Sequence, residues 1–565
     1  MRRPLLALLG CALCAAALAA PARAADAPPV AGNWKVKLFF PQNGAEITLW
    51  IVKVEDKDGK LQGEVLASTQ VKNAKVESVQ ADARALRLTL AAPGAGNFAV
   101  TAYLPRGEAR PKELLGSCTF RNQRFFAELD RTTDTELDAK AATDPKPAEA
   151  IQGAMMKDDA AEKEKALRAV AAKYPRRPAG LLAHLLLIQQ QVKDEAAPDA
   201  VRTEADAALK VAAAFGPEIE LNALAQITRG LAGSEKLAPL AVEYGRKGEK
   251  LISADTAPAL SVTALKALAS ALKKAGKADD AKAVAARVAK LEDALDQEFI
   301  KANIPFKPDT YAGRKGKSER VVLVELFTGA QCPPCVAADV AFDALLKTYK
   351  PAEVVFLQYH EHIPGPDPLT NAGTEARAKY YAIEGTPTFY IDGKDGPGVG
   401  GPRDVARRGY AALSEKIDAQ LEKDAGAGLK VRAARKGDVV AIQAEVSDLK
   451  KTGDDIRLRF VLVEDVVRYP GTNGQRLHHH VVRDFPGGVE GVAMKEKSGK
   501  HVATVNLPEL TRKLEEYLTN YAKRRAFPGD DRPLDLKHLK VVAFIQDNDT
   551  KEVLQAAQVD VREAK

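Results

Sequence analysis

Cys332-Pro333-Pro334-Cys335 is the stretch best equipped for chemistry, because two thiols three residues apart can close a disulfide or act in turn as attacking and resolving nucleophiles. The surrounding order matters more than the four letters. A buried-strand run at 321–327 leads into the loop Thr328-Gly329-Ala330-Gln331, and a helical pattern follows the second cysteine to about 349. Cys332 is thereby expected beside a helix N-terminus, where unpaired N–H groups and the helix dipole favour a thiolate, with Cys335 one turn on. Cys332 then attacks as the exposed thiol and Cys335, shielded, resolves. A lone C-x-x-C could also be half a zinc site, but the second cysteine pair, Cys11 and Cys14, falls in the expected signal peptide, and Val336 stands where a haem-attachment motif has His. An inert structural disulfide stays open as an alternative.

Other residues invite chemistry less strongly. Cys118 lies in an apolar strand pattern and reads as a buried free thiol. In His478-His479-His480, neighbours on a strand point to opposite faces, so at most two could share a site, and no metal site is assigned there. Cys332, Cys335 and either His360 or His362 could form a copper site, which makes a periplasmic copper-handling protein a further alternative.

Downstream of the cysteines, residues 354–359 read as a second buried strand and 374–381 as a helix. After them comes Ile383-Glu384-Gly385-Thr386-Pro387-Thr388-Phe389-Tyr390-Ile391-Asp392-Gly393. With the C-x-x-C site in this strand and helix order, residues 318–425 resemble the thioredoxin superfamily. The resemblance implies a thioredoxin-like α/β domain with Cys332 as nucleophile, Cys335 as resolving thiol and Pro387 as a cis-proline packed on the disulfide. It also implies that Thr386 offers its backbone to substrate, with Pro333 and Pro334 in the contact surface. Glu325 falls where the family keeps a buried acid behind the disulfide; the alternative is a solvent-facing residue at a strand end. Two departures stand out: Gln331 replaces the usual aromatic before the first cysteine, and the insert at 360–368 is rich in proline.

The expected activity is therefore thiol-disulfide oxidoreduction on protein substrates, supplied by an unidentified electron donor and needing no cofactor. Pro333 and Pro334 lack N–H groups that could stabilise the Cys332 thiolate, which points to a reductase or isomerase at roughly −200 to −270 mV rather than an oxidant near about −120 mV. The second reading, from another class, is a scaffold or binding protein whose degenerate thioredoxin domain carries a structural disulfide.

The elements that must position this site belong to a larger chain. Its 565 residues exceed what one core serves, and the ~150-residue prior suggests three or four domains. Arg2 and Arg3, an apolar run at 5–20 and Ala22-Arg23-Ala24 give the pattern of a signal peptide at 1–24 and a periplasmic or secreted protein. No other run approaches a membrane span. The formal net charge of +7 arises from 83 basic and 76 acidic residues interleaved throughout, so no basic stripe marks a nucleic-acid partner.

Residues 25–133 alternate apolar and polar residues between turn signals and read as an antiparallel β domain. Gly32-Asn33-Trp34 resembles the opening of lipocalin-like barrels, although a sandwich or meander is the expected form. Residues 134–303 are rich in Ala, Leu, Lys and Glu at helical spacing and form an α-helical domain, with a tetratricopeptide-like turn near 271–281 but no 34-residue period. The thioredoxin-like domain occupies 304–425. A C-terminal β-sandwich at 426–565, interrupted by a helix near 507–524, completes the multidomain α+β architecture.

Overall fold

The computed structural model describes residues 30–564 apart from 41–42, 94–95, 106, 109, 121–122 and 139–141. The signal peptide expected at 1–24 lies outside the described residues. The chain is a multidomain α+β protein that divides into two compact units, one up to Asp293 and one from Ala294. No helix among the described residues is long and apolar enough to cross a membrane.

The first unit opens with the antiparallel sheet that the alternation predicts. Its eight main strands run from Gly32–Phe39 to Gln123–Thr132 as a meander, and the first strand pairs with both the second and the last. The sheet therefore curls around one core, into which Trp34, Val36, Leu38, Trp50, Leu86, Leu88 and Cys118 point. Trp34 closes its polar end by donating Nε1–H to the Val30 carbonyl at 2.8 Å, beneath the Arg131 guanidinium 4.4 Å from its ring. Helices follow from Lys146–Met155 to Ala278–Ala302, forming the helical middle region. Pro178, Pro198, Pro217 and Pro258 each open a helix, where the missing N–H has no intrahelical partner to lose. Leu265, Leu268 and Leu272 form one buried stripe.

In the second unit the elements carrying the cysteines are β1 (Val322–Thr328), α1 (Cys335–Thr348), β2 (Val354–His360), α2 (Ala372–Tyr381), β3 (Thr388–Ile391), β4 (Lys394–Asp395) and α3 (Ala406–Leu421). There follow β5 (Gly428–Lys436), β6 (Val439–Ser447), β7 (Gly453–Arg468), β8 (Leu477–Asp484), β9 (Val492–Met494), β10 (Gly499–Asn506), α4 (Leu507–Arg524), β11 (Leu539–Asp547), β12 (Val553–Asp560) and β13 (Arg562–Glu563). β1 and β2 are buried along their whole length, as strands covered on both faces must be. They pair parallel to each other, and β1 pairs antiparallel to β3.

The sheet does not end at residue 425. Its order is β4-β3-β1-β2-β8-β7-β11-β12, with β9 beside β7, and β2 meets β8 in parallel at Gln358 and Val481. C-terminal β sheets are present, as expected, but part of this strand set continues the sheet of the cysteine-bearing segment. A four-stranded sheet, β10-β6-β5-β13, packs through Val440, Ile442 and Ala444 against Leu458, Phe460 and Val541 of the long sheet.

Alternation along β1 sorts the two faces. Val322, Val324 and Leu326 pack under α1 and α3 with Phe342, Leu345, Tyr410 and Leu413. Leu323 and Phe327 face the opposite side, with Tyr359, Tyr381, Val463 and Phe544. Each such fully buried side chain contributes about 1.5–3 kcal/mol, which makes β1 the rigid floor of the segment.

Candidate functional site

The disulfide Cys332–Cys335 closes where β1 passes into α1, with sulfurs 2.08 Å and Cα atoms 5.3 Å apart. Both sulfur-bearing residues are buried, Cys332 at 1% exposure and Cys335 at 0%, whereas Pro333 and Pro334 are exposed. The expectation of an exposed Cys332 is corrected here: in the disulfide state other segments cover it. The first N–H groups of α1 are also committed, from Cys335 to the Cys332 carbonyl, from Val336 to the Pro333 carbonyl and from Ala337 to the Gly401 carbonyl at 3.0 Å. The helix end is thus already partly capped by backbone oxygens.

Three segments converge on the loop that carries the cysteines. The first is the Thr386-Pro387 turn, whose peptide bond is cis. The Thr386 carbonyl oxygen lies 3.6 Å from the Cys332 sulfur and its hydroxyl donates to that sulfur at 3.4 Å. The second is the insert after β2, where Ile363-Pro364 is also cis. Gly329 permits this approach, because a Cβ there would stand 2.6 Å from the Ile363 carbonyl oxygen. Gly365 lies against the Gln331 amide, so the insert fills the space beside Gln331.

The third segment is the turn between β7 and β8, which the sequence reading did not connect to the site. Asn473 donates Nδ2–H to the carbonyls of Gly329 at 3.2 Å and Cys332 at 3.3 Å, and its backbone N–H donates to Ala330 at 3.3 Å. Gln475 donates to the Val336 carbonyl at 3.4 Å. At Gly471 a Cβ would lie 2.3 Å from the Ala330 carbonyl oxygen, so only glycine lets the turn come this close. The Gly-Thr-Asn-Gly run at 471–474 signals a turn in the sequence, but nothing local reveals what that turn touches.

Beneath the loop runs a buried polar network. Asp367 accepts from the Ala330 N–H at 2.6 Å and pairs with His360 Nδ1 at 2.8 Å; His360 Nε2 meets Gln358 at 3.2 Å. Gln358 in turn donates to Asp339 Oδ1 at 3.2 Å, which also accepts from Thr328 at 2.8 Å. Burial opposes the Asp367 charge, yet His360 and the Ala330 and Leu369 N–H groups outweigh it and hold the carboxyl below its usual range. Burial pushes Asp339 well above that range, with Asp343 and Asp367 adding to the effect. Asp339 follows Cys335 by four residues on one face of α1.

Glu325 is fully buried, which removes the solvent-facing alternative. It accepts from Tyr359 at 2.9 Å, Arg377 at 2.8 Å and Tyr381 at 2.6 Å. These partners lie on the face of β1 opposite the helix that carries Cys335. Cys332, Thr386 and Pro387 come together with Pro334, near which the loop at Gly400 packs; Glu325 belongs to a separate ion-pair cluster.

The remaining candidates do not converge on the cysteines, although the His360 and His478 rings meet edge-on at 4.8 Å. His478 meets the Tyr469 carbonyl, His479 pairs with Asp343 at 2.7 Å, and His480 meets the Phe356 carbonyl and Asp465. His360 has both ring nitrogens engaged as above, and His362 accepts from the Asp367 N–H and meets Tyr517 while stacking 3.6 Å from Tyr521. Cys118 is buried and its thiol is pushed up to about 12 by burial, as an inert core cysteine requires. Among the described residues, Glu113, Glu128 and Asp130 lie close enough to share an ion, but Lys37 and Arg177 already pair with Glu128 and Asp130, and Arg176 with Glu113.

No protein-family model matches the chain, and no curated protein matches it. Among solved structures, HBP35 of Porphyromonas gingivalis is similar at 15% sequence identity and a TM-score of 0.31, covering 44% of this chain and 79% of that one. A likeness at that level carries no argument about fold or function.

Proposed function

We propose that the chain is an exported thiol-disulfide oxidoreductase of thioredoxin-like design, which exchanges disulfides with protein substrates through Cys332 and acts on the reductase or isomerase side. The observation that carries this reading is the juxtaposition of a strand-to-helix disulfide with the Thr386-Pro387 turn, whose Thr386 atoms lie 3.4 and 3.6 Å from the Cys332 sulfur. In the reduced protein the Cys332 thiolate attacks a substrate disulfide, forming a mixed disulfide and releasing one substrate thiolate, which takes up a proton. The Cys335 thiolate then attacks the Cys332 sulfur, re-forms the internal disulfide and expels the second substrate thiol. An electron donor reduces the pair for the next cycle.

Export rests on the signal pattern at 1–24. The redox direction rests on Pro333 and Pro334, which offer no N–H to the thiolate, and on the Gly401 carbonyl, which already accepts from Ala337. A potential of roughly −200 to −270 mV is expected against a glutathione buffer, and one above about −150 mV would reverse the direction. A Cys335→Ser variant is expected to accumulate mixed disulfides on Cys332 with exported proteins. Absence of any trapped partner contradicts the exchange reading.

The burial of both cysteines favours a second reading, in which the disulfide is structural and the chain is a scaffold. In that case reduction lowers the stability of the second unit without conferring exchange on any substrate.

A further inference from the structure

Cys332 is 1% exposed, and the turn joining β7 and β8 is bonded to the carbonyls of the loop that carries it; we infer that this turn is the gate of the disulfide, with Asn473 as the positioning residue that holds it shut. The turn reaches the redox loop from a distant part of the chain, and its hold is made of hydrogen bonds. Asn473 Nδ2–H bridges the carbonyls of Gly329 and Cys332, while its backbone N–H reaches Ala330. The side chain is itself aimed by the Gln475 N–H, which donates to Asn473 Oδ1 at 3.0 Å, and the Gly474 N–H donates to the Gly471 carbonyl at 3.0 Å. Thr472 and Gly474 at the tip are exposed.

The other two covers are anchored more deeply. The insert is tied down by buried Asp367, through the Ala330 and Leu369 N–H groups and His360, and by Thr374, whose hydroxyl donates to the His360 carbonyl at 2.9 Å. The Thr386-Pro387 turn leads directly into β3, which is paired to the buried strand β1. The 471–475 turn is held to the loop by hydrogen bonds and its tip is exposed, the properties of segments that open locally. The gate sets the rate at which a thiolate reaches the Cys332 sulfur.

The chemistry it controls is explicit when dithiothreitol is the reductant. One dithiothreitol thiolate attacks Cys332, the Cys332–Cys335 bond breaks, and Cys335 leaves as a thiolate that takes up a proton. The second dithiothreitol thiol then closes its own ring and frees Cys332, so the protein gains two electrons and the reductant loses two. Only the approach to sulfur depends on the gate.

The inference rests on the Cys332–Cys335 site of the proposed function, but its readout is the reactivity of the disulfide and needs no substrate activity. In the full chain, Asn473→Ala is expected to speed reduction by dithiothreitol roughly tenfold, the factor that about 1.4 kcal/mol carries. Reduction by glutathione, which is bulkier, is expected to gain more. Reoxidation speeds equally, so the potential in a glutathione buffer stays unchanged, which a merely destabilising substitution has no reason to produce. Gly471→Ala, whose Cβ pushes the turn off Ala330, is expected to act in the same direction, and Thr472→Ala at the exposed tip leaves the rate unaltered. Unchanged rates in both Asn473→Ala and Gly471→Ala, or a shifted potential in either, overturn the gate. If the rates change as expected while insulin reduction is absent, the gate stands and the oxidoreductase reading fails.

Discussion

Glu361 is buried beside Glu375 and Asp367, and its Oε1 accepts no protein hydrogen bond. Burial, with those two neighbouring charges, pushes its carboxyl from 4.5 up to about 8. A carboxyl that binds its proton more tightly folded than unfolded contributes stability that is fully present below the unfolded pKa and lost as pH rises through the folded value. Unfolding temperature followed by circular dichroism is therefore expected to fall between about pH 5 and 8 more steeply in the wild type than in Glu361→Gln. Parallel curves contradict the assignment. Asn473 belongs to the same scale: each hydrogen bond it makes contributes about 0.5–1.5 kcal/mol net, enough to govern a loop without governing the fold.

At the scale of elements, α2 is fixed to β1 by the Arg377–Glu325 pair at 2.8 Å, both side chains buried, with Tyr359 and Tyr381 completing the carboxylate's bonds. Removing one member leaves a buried charge alone, so Arg377→Met is expected to cost about 3–5 kcal/mol in urea unfolding, and Glu325→Gln with Arg377→Met is expected to recover most of it. A loss below about 1 kcal/mol for the single variant contradicts the pairing. The elements themselves were legible: β1, α1, β2 and α2 follow from apolar runs and periodicity, and the cysteines lie at the expected strand-to-helix junction. A buried Glu325 was one of two readings the sequence left open, and its partner Arg377 was not legible, because Arg377 is also engaged by Tyr381 on its own helix and by Gln546 of the distant strand β11. Asn473 and Asp367 were not legible at all, since they act through backbone groups more than thirty residues away, and no local pattern encodes such a pairing.

At the scale of the whole molecule, composition marks a change near residue 425 while the sheet runs through it. β8, β7, β11 and β12 extend the sheet of β1, β2 and β3, and Val461, Val463, Val542 and Phe544 share a core with Leu323 and Phe327. Alternating strands look alike whether they begin a new sheet or join an old one, so the sequence pattern cannot distinguish the two. A fragment of residues 304–425 is accordingly expected to melt without a cooperative transition, because one edge and one face of its sheet are stripped, whereas residues 294–565 melt as one unit. A sharp transition from the shorter fragment contradicts that architecture. The central claim concerns what the disulfide does, and insulin reduction in dithiothreitol tests it most directly. The full chain is expected to accelerate insulin precipitation well above dithiothreitol alone, and Cys332→Ser is expected to abolish the acceleration. A wild-type protein no faster than dithiothreitol alone would contradict the account and leave the disulfide a structural link.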